Sequence, residues 1–168
     1  MKLEGAVSQG SGSVNEDGWG ILGSPDDVAA AWVFDGVTGI NGRNILSADT
    51  DAAWLVAKAH DHLRSLADLE LSLREILSRL VQSLIADFNT AVEGFDIPHD
   101  YDPPAACLIL VKRYEAEWKA LRLGDSCLLA RAGGRRPHAP GCGGGELEAD
   151  ADHGGHGRGQ HDQREHPT

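Results

Sequence analysis

Apolar residues change their rhythm several times along this chain, and each change marks an element. Residues 17 to 22 and 28 to 34 are short apolar runs on either side of "GSPDD", a cluster of turn formers, and they predict two strands joined as a hairpin. From residue 47 the spacing becomes helical. Ser47, Asp49, Thr50 and Asp51 are capping types, and Leu55, Ala59, Leu63 and Leu66 then recur on one face, which predicts a helix from about 50 to about 67. A sharper stripe follows, carried by Leu73, Ile76, Leu77, Leu80, Leu84, Ile85, Phe88 and Val92, with polar residues opposite. Ser72 and Glu75 form an S-x-x-E capping box at its start. "GFDIPHDYDPPA" breaks the second helix. Three apolar runs come next, "ACLILV", "WKALRL" and "CLLAR", and predict antiparallel strands, the last two joined at the "GDS" turn.

Beyond Arg131 the pattern stops. Leu147 is the only large aliphatic residue from 133 to 168, a composition that cannot build a core. The expected organisation is therefore a domain over 1–132 and a disordered, low-complexity tail over 133–168. Five of the eight histidines lie in that tail, at 138, 153, 156, 161 and 166, so a metal-binding tail is its functional alternative. The strand pattern stops in mid-sheet, so an out-of-frame tail is a further expectation, which translating the coding DNA in the other frames tests.

Length and charge narrow the function. With 168 residues, a single domain is the expectation. The formal charge of -11, with basic residues scattered, argues against nucleic-acid or membrane-surface partners and favours cationic ligands. Cys107, Cys127 and Cys142 are odd in number and include no C-x-x-C, so neither a disulfide framework nor a zinc knuckle is indicated. The first ten residues carry no apolar stretch of signal-peptide length, and the longest apolar runs, "AAAWVF" and "AACLILV", are too short to span a bilayer. A cytoplasmic protein is expected.

Candidate chemistry lies in the acids. "NEDGWG" (15–20) sets Glu16 and Asp17 ahead of the first strand, and "WVFDGVTG" (32–39) ends the second in Asp35 and Gly36. Carboxylates beside an apolar strand need a cation, a donor set or water. A hairpin between these runs would bring the three acids close together, and hard divalent cations favour such an all-oxygen set. The glycine lets a ligand approach the backbone carbonyl.

"NEDGWG", "VFDGVTG" and "LRLGDSCLLAR", in this order and separated by two helices, resemble the motifs of the metal-dependent PPM-type protein phosphatases, the protein phosphatase 2C family, across roughly residues 5 to 132. That resemblance implies an α+β fold, an αββα sandwich of two antiparallel sheets flanked by helix pairs, incomplete in this chain. It also implies hydrolysis of phosphoserine or phosphothreonine in a phosphorylated protein substrate, by a water held between two Mn2+ or Mg2+ ions. By motif, Asp35 would bridge the metals, Gly36 would offer its carbonyl and Glu16 would ligate one ion directly or through water. Asp17 would be an outer partner, and Asp125 of "GDS" matches an acid near a further metal position; its alternative role is to cap the turn.

The chain departs from the family pattern in two places. Where members carry a phosphate-binding arginine ahead of the first acidic pair, this sequence has "SQGSGSV", and Lys2 is the only basic residue before Arg43. "DGVTG" in place of Asp-Gly-His-Gly points to a divergent, bacterial-type branch. The family also takes two aspartates from its C-terminal half; Asp150 and Asp152 have no apolar strand to hold them and are not assigned. Weak metal affinity and weak or absent activity are expected, and a catalytically inactive phosphatase-like module is the alternative. Other phosphate chemistries fit less well. A haloacid-dehalogenase-like site would need its nucleophile at Val33, and "GSGSVNEDG" lacks the G-K-[ST] of a P-loop. His60 and His62 lie two apart on a predicted helix and cannot face one site. Trp19, Trp32, Trp54 and Trp118 are read mainly as core.

Overall fold

The computed structural model describes residues 1–6, 13–39, 42–130 and 145–148. The first two apolar runs form the expected hairpin. Strand β1 (Gly18–Ser24) pairs antiparallel with β2 (Asp27–Val37), and the tight turn between them is closed by the Asp27 amide donating to Ser24 Oγ at 3.2 Å. Side chains alternate along β2 with a period of two. Val28, Ala30, Trp32 and Phe34 are buried, while Val33, Asp35 and Val37 face outward.

Helix α1 (Asp51–Leu66) starts where the capping residues predict it. Thr50 is extended, and its hydroxyl accepts from the Ala53 amide. Helix α2 (Leu73–Ala91) carries the full capping box, Ser72 and Glu75 each accepting from the other's backbone. Both helices lie on one face of the sheet. Val56, Ala59 and Leu63 of α1 and Leu73, Ile76 and Leu80 of α2 pack with Trp32 and Phe34 into one buried cluster. Each fully buried aliphatic side chain there contributes roughly 1.5–3 kcal/mol. The apolar stripe of α2 is used except at Ile85, which is 56% exposed, while Phe88 further along packs against Trp54 and Tyr101.

Strand β3 (Ala105–Tyr114) pairs with β2, and β4 (Glu117–Leu123) pairs with β3 through a two-residue turn at Glu115 and Ala116. Among the described residues, the third predicted strand, "CLLAR", is reduced to an isolated bridge at Ala130. Gly124 has φ 86°, a left-handed turn that takes the chain out of the sheet, and residues 126 to 129 are irregular, with Leu129 75% exposed. The partner of β4 is instead β5 (Gly145–Glu148), which falls within the stretch read as a disordered tail. The rest of that tail, with its histidines and with Asp150 and Asp152, lies outside the described residues, as does Cys142.

The architecture is thus α+β: one antiparallel sheet in the order β1-β2-β3-β4-β5, with a helix pair on one face. This is half of the expected αββα sandwich. A second sheet and second helix pair are not among the described residues, and Trp19, Val33 and Val37 on the other face are 39–56% exposed. Trp32 and Trp54 are core residues, as expected, at 1% and 7% exposure.

Candidate metal centre

Antiparallel pairing decides which side chains meet at the end of β2. Asp35 on β2 is directly opposite Cys107 on β3, so both project from the face away from the helices. Just beyond β4 the chain turns at Gly124 and delivers Asp125 to the same place, where the Cys107 thiol donates to Asp125 Oδ1 at 3.2 Å. A methyl group on Gly124 would collide with Cys107 Sγ, so the turn is pressed against the cysteine. As a result one ligand atom from each of Asp35, Cys107 and Asp125 lies within 4.8 Å of the others. Both aspartates are exposed and the cysteine is half-buried.

Glu16 is held differently. Its backbone carbonyl abuts Gly36, where a Cβ would collide with it, so this strand can only come so close because residue 36 is glycine. The Glu16 carboxylate is engaged by Thr38: Oε2 accepts from the Thr38 amide at 3.3 Å and Oε1 from the Thr38 hydroxyl. Burial pushes this carboxyl up, but hydrogen bonds from the Thr38 side chain, the Thr50 side chain and the Thr38 amide outweigh it and hold the group below its ordinary value. Asp17 shares a groove of about 680 Å³ with Asp35, Val33, Ser126 and Cys127. Its amide donates to Asn15 Oδ1 at 3.1 Å.

Of the five residues singled out in the sequence, Asp35 and Asp125 therefore converge, Asp17 lines the groove beside them, and Gly36 supports the approach of Glu16. The Glu16 carboxylate is not in the cluster and is bound to threonines. Cys107 was not foreseen. Its signal was its place opposite Asp35, which appears only once "VFDGV" and "AACLILV" are known to pair.

The donor set fits a divalent cation. Metal–oxygen distances of about 2.0–2.2 Å and metal–sulfur distances of about 2.3 Å set tetrahedral ligand atoms roughly 3.3–3.7 Å apart, so donors within 4.8 Å of one another must close by at most roughly 1.5 Å to share one ion. Two carboxylates this close repel each other, and a cation between them removes that repulsion.

His60 and His62 on α1 are engaged elsewhere. His60 Nδ1 accepts from Trp32 Nε1 at 3.3 Å, and His62 Nε2 is 2.9 Å from Asp87 Oδ2, tying α1 to α2. No helix among the described residues is long and apolar enough to cross a membrane.

A protein-family model described as protein phosphatase 2C matches residues 4–146. The chain therefore belongs to the protein phosphatase 2C family. Among solved structures, the chain is similar to the Mycobacterium tuberculosis serine/threonine phosphatase PstP/Ppp, with 16% identity, a TM-score of 0.52, and coverage of 79% of this chain and 50% of that one. The described fold accordingly matches part of the protein phosphatase 2C fold, and the chain spans half the length of that relative. No curated protein matches the chain.

Proposed function

We propose that this chain carries the metal-binding end of a metal-dependent phosphatase acting on phosphoserine or phosphothreonine in proteins. One observation carries the reading: in a chain of this family, Asp35 and Asp125, far apart in sequence, bring their carboxylates together at one strand end. Asp35 and Asp125 would hold the divalent ions, Mn2+ or Mg2+, with Asp17 beside them and the Gly36 carbonyl at the same edge. Bound there, the ions would lower the pKa of a coordinated water and neutralise charge on the phosphoryl group. The open groove beside Asp35 leaves room for a phosphorylated segment. Among the described residues, Cys107 and Cys127 form no disulfide, which is compatible with a reducing setting.

The test is hydrolysis of a phosphothreonine peptide with Mn2+, with excess chelator, and with Asp35→Asn. Weak turnover that needs millimolar Mn2+ and disappears in the variant is expected. Robust turnover in chelator, or equal rates in the variant, would sink the reading. One feature favours a second reading, a phosphatase-like module that binds metal or partner without hydrolysis: the Glu16 carboxylate is occupied by threonines, which leaves fewer oxygens for the ions. Mn2+ binding lost in Asp35→Asn, without hydrolysis in the parent chain, is its signature.

A further inference from the structure

Cys107 has no role in the chemistry described above, yet it is the third member of the cluster. Its position is fixed from two sides: by register, opposite Asp35, and by the Gly124 turn packed against its sulfur. The thiol is directed at Asp125 Oδ1 rather than into the core. The three donors come from β2, β3 and the segment after β4, so the sheet itself sets their spacing.

We propose that Cys107 is a direct ligand of the ion held between Asp35 and Asp125, so that the centre contains one sulfur among its oxygens and takes Zn2+, Co2+ or Cd2+ in preference to Mg2+. The reason is donor softness. Carboxylates and carbonyls suit Mg2+ and Mn2+, whereas thiolate selects softer or borderline ions. A sulfur placed across from a carboxylate at metal-bridging distance shifts that preference. Coordination replaces the thiol proton, which passes to solvent, and breaks the hydrogen bond to Asp125, whose oxygen then also faces the ion. Cys107 is half-buried beside the open groove, so an ion can enter. The inference depends on Asp35 as a metal ligand and not on phosphoester hydrolysis.

Cobalt makes the sulfur visible. The reduced full-length chain is titrated with CoCl2 and the near-ultraviolet absorption followed for a thiolate-to-cobalt charge-transfer band. The parent chain and Cys127→Ser should show it, and Cys107→Ser should not. Losing an outer partner of a metal ligand already costs 10–100-fold in affinity, so losing a direct ligand should weaken Co2+ binding by at least about tenfold. The unmutated chain supplies a second readout: saturating Zn2+ should protect Cys107 from alkylation by iodoacetamide, read by peptide mass spectrometry. A missing band, a band that persists in Cys107→Ser, or alkylation unaffected by Zn2+ would each overturn the proposal. A band with no Mn2+-dependent hydrolysis supports the sulfur ligand while removing the phosphatase reading. Hydrolysis abolished by Asp35→Asn with no band does the reverse.

Discussion

Asp51 is 1% exposed, and it organises the loop that leads from the end of β2 to α1. Its Oδ1 accepts from the Ile45 amide at 3.0 Å and the Leu46 amide at 2.9 Å, and its Oδ2 accepts from the Tyr101 hydroxyl at 2.7 Å. Asn44 Oδ1 in turn accepts from the Asp51 amide at 2.8 Å. Burial, then the bond and charge of Asp51, raise the Tyr101 hydroxyl well above its ordinary value, so it stays a donor. Replacing Asp51 with alanine leaves three donors without their acceptor. Hydrogen bonds to charged groups contribute about 1.5–3 kcal/mol each, and because water can reach some of these groups the expected loss is about 3–5 kcal/mol rather than their full sum. A domain of this size holds only about 5–15 kcal/mol in total, so the change should be large in urea unfolding monitored by tryptophan fluorescence. Tyr101→Phe alone should cost about 1.5 kcal/mol in the parent and close to nothing in the Asp51→Ala background, a coupling of about 1 kcal/mol or more. Thr50, next to Asp51, is one of the groups that hold Glu16, so this loop also sets the edge of the candidate centre. A loss below about 1 kcal/mol, or additive effects in the cycle, would refute the assignment of Asp51 as the loop's anchor.

Further predictions concern the turns and the acids. Gly124→Ala places a methyl against Cys107 Sγ at a φ of 86° and should cost about 2–4 kcal/mol in denaturant unfolding; a cost under about 1 kcal/mol would mean the turn and cysteine are not in contact. Glu115, with φ 53° in the two-residue turn between β3 and β4, pays a left-handed strain that asparagine tolerates, so Glu115→Asn should raise stability by about 0.5–1 kcal/mol, and a loss would contradict the turn geometry. Because the Glu16 carboxyl is held below its ordinary value of 4.5, its stabilising contribution is present above that pH and is lost as pH falls through its folded value. In chelator, the stability gap between the parent chain and Glu16→Gln should therefore be full near neutrality and close below pH 4.5; a gap independent of pH would exclude the Thr38 and Thr50 bonds as its source.

Local signals in the sequence were strong where one rule sufficed. The Ser72–Glu75 box and the spacing of Leu73, Ile76 and Leu80 define the start of α2 without reference to any other element, and the turn formers between residues 22 and 28 define the hairpin. "CLLAR" looked like a strand because its apolar residues are consecutive, but Gly124 adopts a left-handed φ and removes the segment from the sheet. Which acids meet is a non-local question. Asp35 and Asp125 could be selected as chemically suitable, and Asp35 by its place before Gly36, whereas Cys107 joins them through strand register, and Glu16 is diverted by Thr38, whose place in "DGVTG" does not by itself show which acid it binds. Ile85, exposed within the α2 stripe, marks the same limit: periodicity shows which face is apolar and not what covers it.

Direct binding of Mn2+, followed by loss of its free-ion electron paramagnetic resonance signal, tests whether the strand end is a metal centre. The parent chain should bind the ion, and Asp35→Asn, which keeps the side-chain volume and removes the charge, should bind it at least about tenfold more weakly while unfolding at the same denaturant concentration. Equal Mn2+ binding by the two proteins would contradict the central claim, because the ion would then be held by some other part of the chain.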